Sequence, residues 1–439
     1  MNLKNKTFFI KSLGCRVNLF ESNGVLKQLS DLGAIYVDNE SNAEIIVINT
    51  CSVTNKADSK SRYEINKACN SEKCELVVVI GCYSQLNAKE IVNDKVKIII
   101  GTAYKSEVGS LIKELKPKQT IKKIINVRKE NKFEADKEAD YRLNTRAFVK
   151  IQDGCNFMCS YCLIPYARGV QRSMPDGELI ETIKNLVANN FKEIILTGVN
   201  TAGYKYKNVT FYDILKKIDK LDGDFRIRIS SLEPFQINAK IIKLLTSNKE
   251  RWCQSFHLCL QSADNTVLKA MNRRYTFEKF FSLVKLIRKY SKNASITTDY
   301  IVGFPTETLK QFENSVKNLK TIKFSDMHIF PYSPRKDTAA EKLDDIVGST
   351  ERTKRFKIID KLNITCRRKY LKSFVGEDVD VLFEKPKSSG LQVGHSNFFF
   401  KVQVNTNEDL TNRLFRIRII DIKDDELVGN HFLMHEKNI

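Results

Sequence analysis

Residues 155–162 read Cys-Asn-Phe-Met-Cys-Ser-Tyr-Cys, a C-x3-C-x2-C run that constrains this chain more than any other stretch. Three thiolates within eight residues can hold one face of an iron–sulfur cluster, leaving one iron without a protein ligand. That open iron can bind a substrate or cofactor directly. A zinc site would need a fourth nitrogen or sulfur to close its tetrahedron. The first histidine is His257 and the next cysteine is Cys253, so a local zinc knuckle is disfavoured. The ferredoxin run, C-x2-C-x2-C with a further Cys-Pro, differs as well.

A second set of cysteines is dispersed yet regular. Cys15 follows a predicted strand in Ser12-Leu13-Gly14-Cys15, Cys51 follows another in Asn49-Thr50-Cys51, and Cys82 a third in Ile80-Gly81-Cys82. In a parallel sheet all carboxyl ends lie on one edge, where ligands bind. The three thiols therefore converge on one rim, and Gly14 and Gly81 allow close backbone approach to an inorganic cluster. The competing reading is three cysteines packed as small hydrophobes. Cys69, Cys74, Cys253, Cys259 and Cys366 show no such pattern and read as structural thiols.

The surrounding pattern predicts an α/β protein in three parts. Thr7–Ser12, 44–49, 76–80 and Val96–Ile100 read as buried strands, with helices near 21–32, 57–68 and 105–115. Residues 116–145 are rich in Lys and Glu and read as a solvated linker or irregular crossover. Six further strands, at 147–152, 193–196, 225–229, 254–260, 295–301 and 327–330, alternate with helices and predict a partial (β/α)6 barrel. A basic helix near 350–371 closes that series, and short strands from 377 to 433 predict a small all-β barrel. The expected boundaries are 1–135, 141–371 and 372–437, matching a length prior of about three domains.

Composition narrows the setting. Of 439 residues, 42% are hydrophobic and 28% charged, which suits a chain able to bury substantial cores. There is no apolar stretch of 18 residues and no signal-peptide pattern at the start, and the cysteine spacings suit metal better than disulfides. A cytoplasmic location without membrane attachment is the expectation. The net charge of +21 suits a polyanionic partner such as nucleic acid, although a Lys-rich compositional bias would produce the same excess.

Over almost its whole length the chain resembles the methylthiotransferases of the radical S-adenosylmethionine superfamily. The resemblance rests on the 155–162 triad and on Leu13-Gly14-Cys15-Arg16-Val17-Asn18, Asn49-Thr50-Cys51-Ser52-Val53-Thr54 and Gly81-Cys82-Tyr83-Ser84-Gln85. Tyr166-Ala167-Arg168-Gly169, Leu260-Gln261-Ser262, Met271-Asn272-Arg273-Arg274-Tyr275 and Val302-Gly303-Phe304-Pro305-Thr306-Glu307 extend it. Ala263-Asp264 and Thr306 depart from the usual pattern and put fine detail of the adenosylmethionine pocket in question.

The resemblance implies two 4Fe–4S clusters. Cys155, Cys159 and Cys162 would hold the one that cleaves S-adenosylmethionine, and Cys15, Cys51 and Cys82 the one that carries the inserted sulfur. Tyr161 would lie against the adenine, and Thr197, Asn200, Ser230, Glu233, Gln261, Asp299 and Gly303 would contact the cofactor from strand ends. The terminal barrel resembles the RNA-binding TRAM module, whose basic residues would grip a tRNA anticodon arm. Flavodoxin or ferredoxin would supply electrons. Val17, with Lys56-Ala57-Asp58 and Lys60-Ser61-Arg62, is most similar to the branch acting on N6-threonylcarbamoyladenosine. The alternatives are the isopentenyladenosine branch, the branch modifying a ribosomal-protein aspartate, and a non-catalytic iron–sulfur RNA-binding protein.

Overall fold

The computed structural model describes residues 1–134, 140–141, 144–386 and 390–437. The first part is a parallel sheet of β1 (Thr7–Ser12), β2 (Ile35–Tyr36), β3 (Ile45–Thr50), β4 (Leu76–Gly81), β5 (Val96–Ile100) and β6 (Ile121–Lys123). Its strand order is 2-1-3-4-5-6. Every residue of β3 and β4 is buried, as expected for apolar strands covered on both faces. Ile45, Val47 and Val78 pack on one side with Val25 and Leu29 of α1 (Arg16–Asp31). Ile46, Ile48 and Val79 pack on the other with Ile65 and Ala68 of α2 (Asn55–Cys69). The alternation along each strand thus divides the side chains between two cores.

Three sequence expectations need correction here. The segment read as a linker contributes β6, which pairs with β5 through Ile98–Ile121. Its Lys-rich composition hid an edge strand that buries little. Part of that segment, 135–139 and 142–143, lies outside the described residues. Helix α1 starts at Arg16 rather than near residue 21, because Asn18, Glu21, Ser22 and Asn23 are buried polar groups that break the apolar period. The helix expected from residue 105 opens as a 3₁₀ turn, Lys105–Glu107.

The second part winds into an open barrel. Its six main parallel strands are joined by short connecting strands, giving in chain order β7 (Ala147–Asp153), β8 (Arg172–Ser173), β9 (Glu193–Gly198), β10 (Lys205–Tyr206), β11 (Val209–Thr210), β12 (Arg226–Ile229), β13 (Ser231–Leu232), β14 (Ser255–Leu258), β15 (Ser295–Val302) and β16 (Asp326–Pro331). β7, β9, β12, β14, β15 and β16 follow one another in sequence order, and the 227–252 bridge joins β12 to the β14 side. The outer layer is α6 (Asp176–Ala188), α7 (Phe211–Asp219), α8 (Ala239–Ser247), α10 (Phe277–Tyr290) and α11 (Leu309–Ile322), following the short helices α3 (Cys82–Asn87), α4 (Val108–Glu114) and α5 (Ile164–Ala167) and interrupted by α9 (Asn265–Ala270). Helix α12 (Gly348–Lys372) then packs against β16, where Asn363 Oδ1 accepts from the Met327 N–H at 2.8 Å.

The third part is a closed barrel of β17 (Asp378–Phe383), β18 (Leu391–Ser396), β19 (Lys401–Asn405), β20 (Leu414–Lys423) and β21 (Glu426–Glu436). It docks on the open barrel through buried arginines. Arg226 donates to the His395 carbonyl and Arg228 to the Ser396 carbonyl, each at 2.8 Å. Both arginines also pair with Glu193. No helix among the described residues is long and apolar enough to cross a membrane.

Candidate active site

The first sheet reverses its winding between β1 and β3, and an open α/β sheet binds ligands at the carboxyl ends beside such a switch. Cys15 caps the start of α1 after β1, Cys51 follows β3, and Cys82 opens α3 after β4. Gly14 adopts φ +85°, and a Cβ there would stand 2.5 Å from Cys51 Sγ. Only glycine leaves room for that sulfur. Asn18 ties two of the loops together, donating to the Leu13 and Thr50 carbonyls at 2.7 and 3.0 Å.

The 155–162 loop leaves the carboxyl end of β7. Ser160 donates to the Ala270 carbonyl at 2.9 Å, and Asn272 donates to the Met158 carbonyl at 2.7 Å. These bonds fix the loop against α9. Each sulfur accepts one N–H donor: Phe157 to Cys155 at 3.4 Å, Ile164 to Cys162 at 3.4 Å, and Arg273 Nη1 to Cys159 at 3.3 Å. Where sulfurs ligate a cluster, such bonds are a lever on its reduction potential.

The donor sets fit iron–sulfur clusters. All eleven cysteines are free thiols. Burial pushes Cys51 up to about 12, with the neighbouring Cys82 adding to the shift. It likewise lifts Cys162 to about 12 and Cys155 to about 11. Metal-free, these groups stay protonated at neutral pH, whereas a coordinating metal ionises a thiol outright.

Both triads open into one cavity of about 570 Å³, within the range of roughly 300–1,000 Å³ typical of ligand pockets. Tyr161, Thr197, Ser230, Glu233, Gln261 and Asp299 line its wall. Gln261 holds φ +66° and pairs through its backbone with Asp299 and Ile301. Asn200 and Gly303 do not line it. Asn200 is buried under Gly203 with its N–H bonded to Gln152 at 2.7 Å, and the Gly303 carbonyl accepts from Arg352 at 3.0 Å.

Several further residues at the cavity carried no role in the sequence reading. Arg273 bonds Cys159 and also Glu233, at 2.6 Å, so it spans the triad and the expected cofactor wall. Burial nevertheless raises the Glu233 carboxyl above its ordinary range, against the pull of Arg273. His257 and His328 face the cavity from β14 and β16, with His257 Nε2 3.4 Å from Asp299 Oδ2. The period-two placement of His257 and Cys259 was the available signal. Arg168, within the quoted Tyr166–Gly169 motif, reaches Asn18 Oδ1 at 2.6 Å and Glu21 Oε1 at 2.9 Å.

Comparison with known proteins agrees with this geometry. Residues 149–319 match the radical SAM superfamily, and residues 7–101 match the family described as uncharacterized protein family UPF0004. A threonylcarbamoyladenosine tRNA methylthiotransferase from Bacillus subtilis is 33% identical over 423 residues, covering 94% of each chain. A tRNA-2-methylthio-N(6)-dimethylallyladenosine synthase from Clostridium novyi is 33% identical over 442 residues, covering 98% of this chain and 97% of that protein. Among solved structures, the radical S-adenosylmethionine methyltransferase TsrM from Kitasatospora setae aligns with TM-score 0.52 at 14% identity, over 74% of this chain and 73% of that one. That level of identity supports the fold alone. Fold and cavity together define a radical S-adenosylmethionine enzyme. Within that class, the chain belongs to the radical SAM tRNA methylthiotransferase family.

Proposed function

We propose that this enzyme converts N6-threonylcarbamoyladenosine beside the tRNA anticodon into its 2-methylthio derivative. The observation that carries the reading is the shared cavity, into which both cysteine triads open. Sulfur insertion at an unactivated carbon requires a radical generator and a sulfur donor within reach of one base. The threonylcarbamoyl substrate is favoured by relatives from four organisms bearing that activity in their names, at 31–34% identity.

In this reading residues 1–135, 141–371 and 372–437 are the sulfur-donor, radical and RNA-binding units. Cys155, Cys159 and Cys162 hold the 4Fe–4S cluster that binds S-adenosylmethionine, and Cys15, Cys51 and Cys82 hold a second one. When bound, the first cluster with its adenosylmethionine supplies the radical chemistry that side chains cannot. Tyr161, Thr197, Ser230, Glu233, Gln261 and Asp299 orient the cofactor, and Asn200 and Gly303 support that wall from behind. Arg273 fixes Glu233 relative to Cys159 and screens the thiolate charge. Gly14 keeps the Cys51 sulfur accessible. Flavodoxin or ferredoxin serves as reductant in the cytoplasm.

Anaerobically reconstituted enzyme, reductant and adenosylmethionine should yield 5′-deoxyadenosine and methylthiolate an anticodon stem-loop carrying threonylcarbamoyladenosine. Undiminished 5′-deoxyadenosine from a Cys155→Ala, Cys159→Ala, Cys162→Ala variant would remove the cleavage assignment. Turnover of an isopentenyladenosine stem-loop alone would replace the substrate.

A further inference from the structure

Arg16 follows Cys15 directly and lines the shared cavity. Its guanidinium lies 4.9 Å from the centroid of the Phe399 ring, and that of Arg228 lies 5.0 Å from the same centroid. The cavity thus gathers one side chain from each of the three parts of the chain. The two arginines differ in their bonding. Arg228 is saturated, with Glu193 Oε1 at 2.7 Å, Ser255 Oγ at 2.7 Å and the Ser396 carbonyl at 2.8 Å. Among the described residues Arg16 has neither an ion pair nor a hydrogen bond; the Phe399 ring lies against it, and the charges of Arg228 and Arg146 repel it. Glu193, whose charge acts on Arg16, is already held by Arg226 at 2.6 Å and by Arg228.

Phe399 is itself held in an unusual backbone state. It adopts φ +71° at the tip of the β18–β19 loop, where its N–H donates to the Ser396 carbonyl at 3.0 Å. A non-glycine residue there is strained, and strain of this kind persists where surrounding structure fixes it. Here it brings the ring to 4.9 and 5.0 Å from two guanidinium groups. A planar cation stacked on an aromatic face, with its donor edge unpaired, is pre-organised to take a carboxylate by two parallel N–H bonds.

We infer that Arg16, stacked on Phe399, reads the carboxylate of the substrate's N6 substituent and so selects an acidic nucleoside over a neutral alkylated one. This rests on the threonylcarbamoyladenosine reading above and assigns to it a specificity residue. An isopentenyl group carries no anion and would leave the guanidinium without a partner.

The test uses the fully reconstituted enzyme and three synthetic anticodon stem-loops. One bears threonylcarbamoyladenosine, one its neutral methyl ester, and one isopentenyladenosine. Wild type should favour the free acid over the ester by about 10- to 100-fold in kcat/KM and in Kd, the range for one charge-assisted bidentate contact. Arg16→Gln should abolish that preference, while Arg16→Lys should restore part of it. Iron content measured on each variant separates loss of recognition from damage beside Cys15. Equal handling of acid and ester by wild type would overturn the inference even if the variants prove unstable, and so would Arg16→Gln retaining the preference. Wild type acting only on the isopentenyl stem-loop would overturn the substrate reading itself. Turnover of the threonylcarbamoyl acid with indifference to the ester would remove Arg16 alone.

Discussion

Arg168 and Glu21 form a buried ion pair, Nη1 to Oε1 at 2.9 Å, that joins the radical barrel to helix α1 of the first sheet. Glu21 is also paired with Lys105 and with Lys150, and Asp153 takes Arg168 and Arg172. Four cations therefore share two carboxylates below the rim of Cys15, Cys51 and Cys82. Burial by itself would raise the Glu21 carboxyl, but the charges of Arg168, Lys105 and Lys150 hold it well below the ordinary range. The surplus positive charge would complement the anionic cluster proposed for those three thiolates.

Glu21→Gln removes the carboxylate shared by Arg168, Lys105 and Lys150, leaving Asp153 to pair with Lys150, Arg168 and Arg172. Removing one partner of a buried charged group costs about 3–5 kcal/mol. Denaturant unfolding of the variant should show a loss of that order. Adding Lys105→Met should recover part of it, because one uncompensated charge disappears.

Gly14→Ala places a methyl group against the Cys51 sulfur in a backbone conformation that alanine resists. If the two proposed clusters are both present and equal, reconstituted variant protein should contain about half the wild-type iron, since only one of them would be disturbed. Reductive cleavage of adenosylmethionine should continue. Full iron content with normal methylthiolation would show that the glycine is not needed for the proposed second cluster.

Glu384 links the terminal barrel to the radical barrel through Arg146 at 2.8 Å. Burial opposes its ionisation, but the His395 hydrogen bond and the Arg146 charge hold it down at about 2, from an ordinary 4.5. A carboxyl lowered on folding stabilises fully above its unfolded value, and the contribution fades as pH falls toward the folded value. Wild type should thus exceed Glu384→Gln in urea midpoint at pH 6, with the gap shrinking by pH 3. A gap that widens on acidification would contradict the pairing.

RNA affinity does not follow from charge on the terminal barrel. Residues 372–437 carry nine Lys and Arg against eleven Asp and Glu, and Arg413, Arg416 and Arg418 are each paired with a carboxylate. A basic face that could assist the barrel lies on α12, whose residues 348–372 hold nine Lys and Arg against two acidic residues. Lys354, Lys357 and Lys361 are exposed there. Replacing all three with alanine should lower the salt slope of tRNA binding by up to about 3, near 1 for each lysine that neutralises a phosphate. An unchanged slope would place the RNA elsewhere.

Much of this architecture was legible because apolar period and cysteine spacing are local signals. The buried runs Ile45–Thr50 and Leu76–Gly81 could only be strands of a covered sheet, and the strand-end cysteines marked the rim. The illegible features were long-range or masked by composition. β6 is two-thirds lysine, and α1 buries Glu21 because Arg168, Lys105 and Lys150 arrive from 147, 84 and 129 residues away. Arg16 lies in a motif that reads plainly and Phe399 in the predicted terminal barrel, yet their stacking depends on how three parts of the chain dock.

Nucleoside mass spectrometry of tRNA from cells with and without this chain tests the central claim most directly. Loss of 2-methylthio-N6-threonylcarbamoyladenosine, with accumulation of its unthiolated precursor, is the result predicted here. Retention of that nucleoside, with loss of the isopentenyl counterpart, would contradict the account.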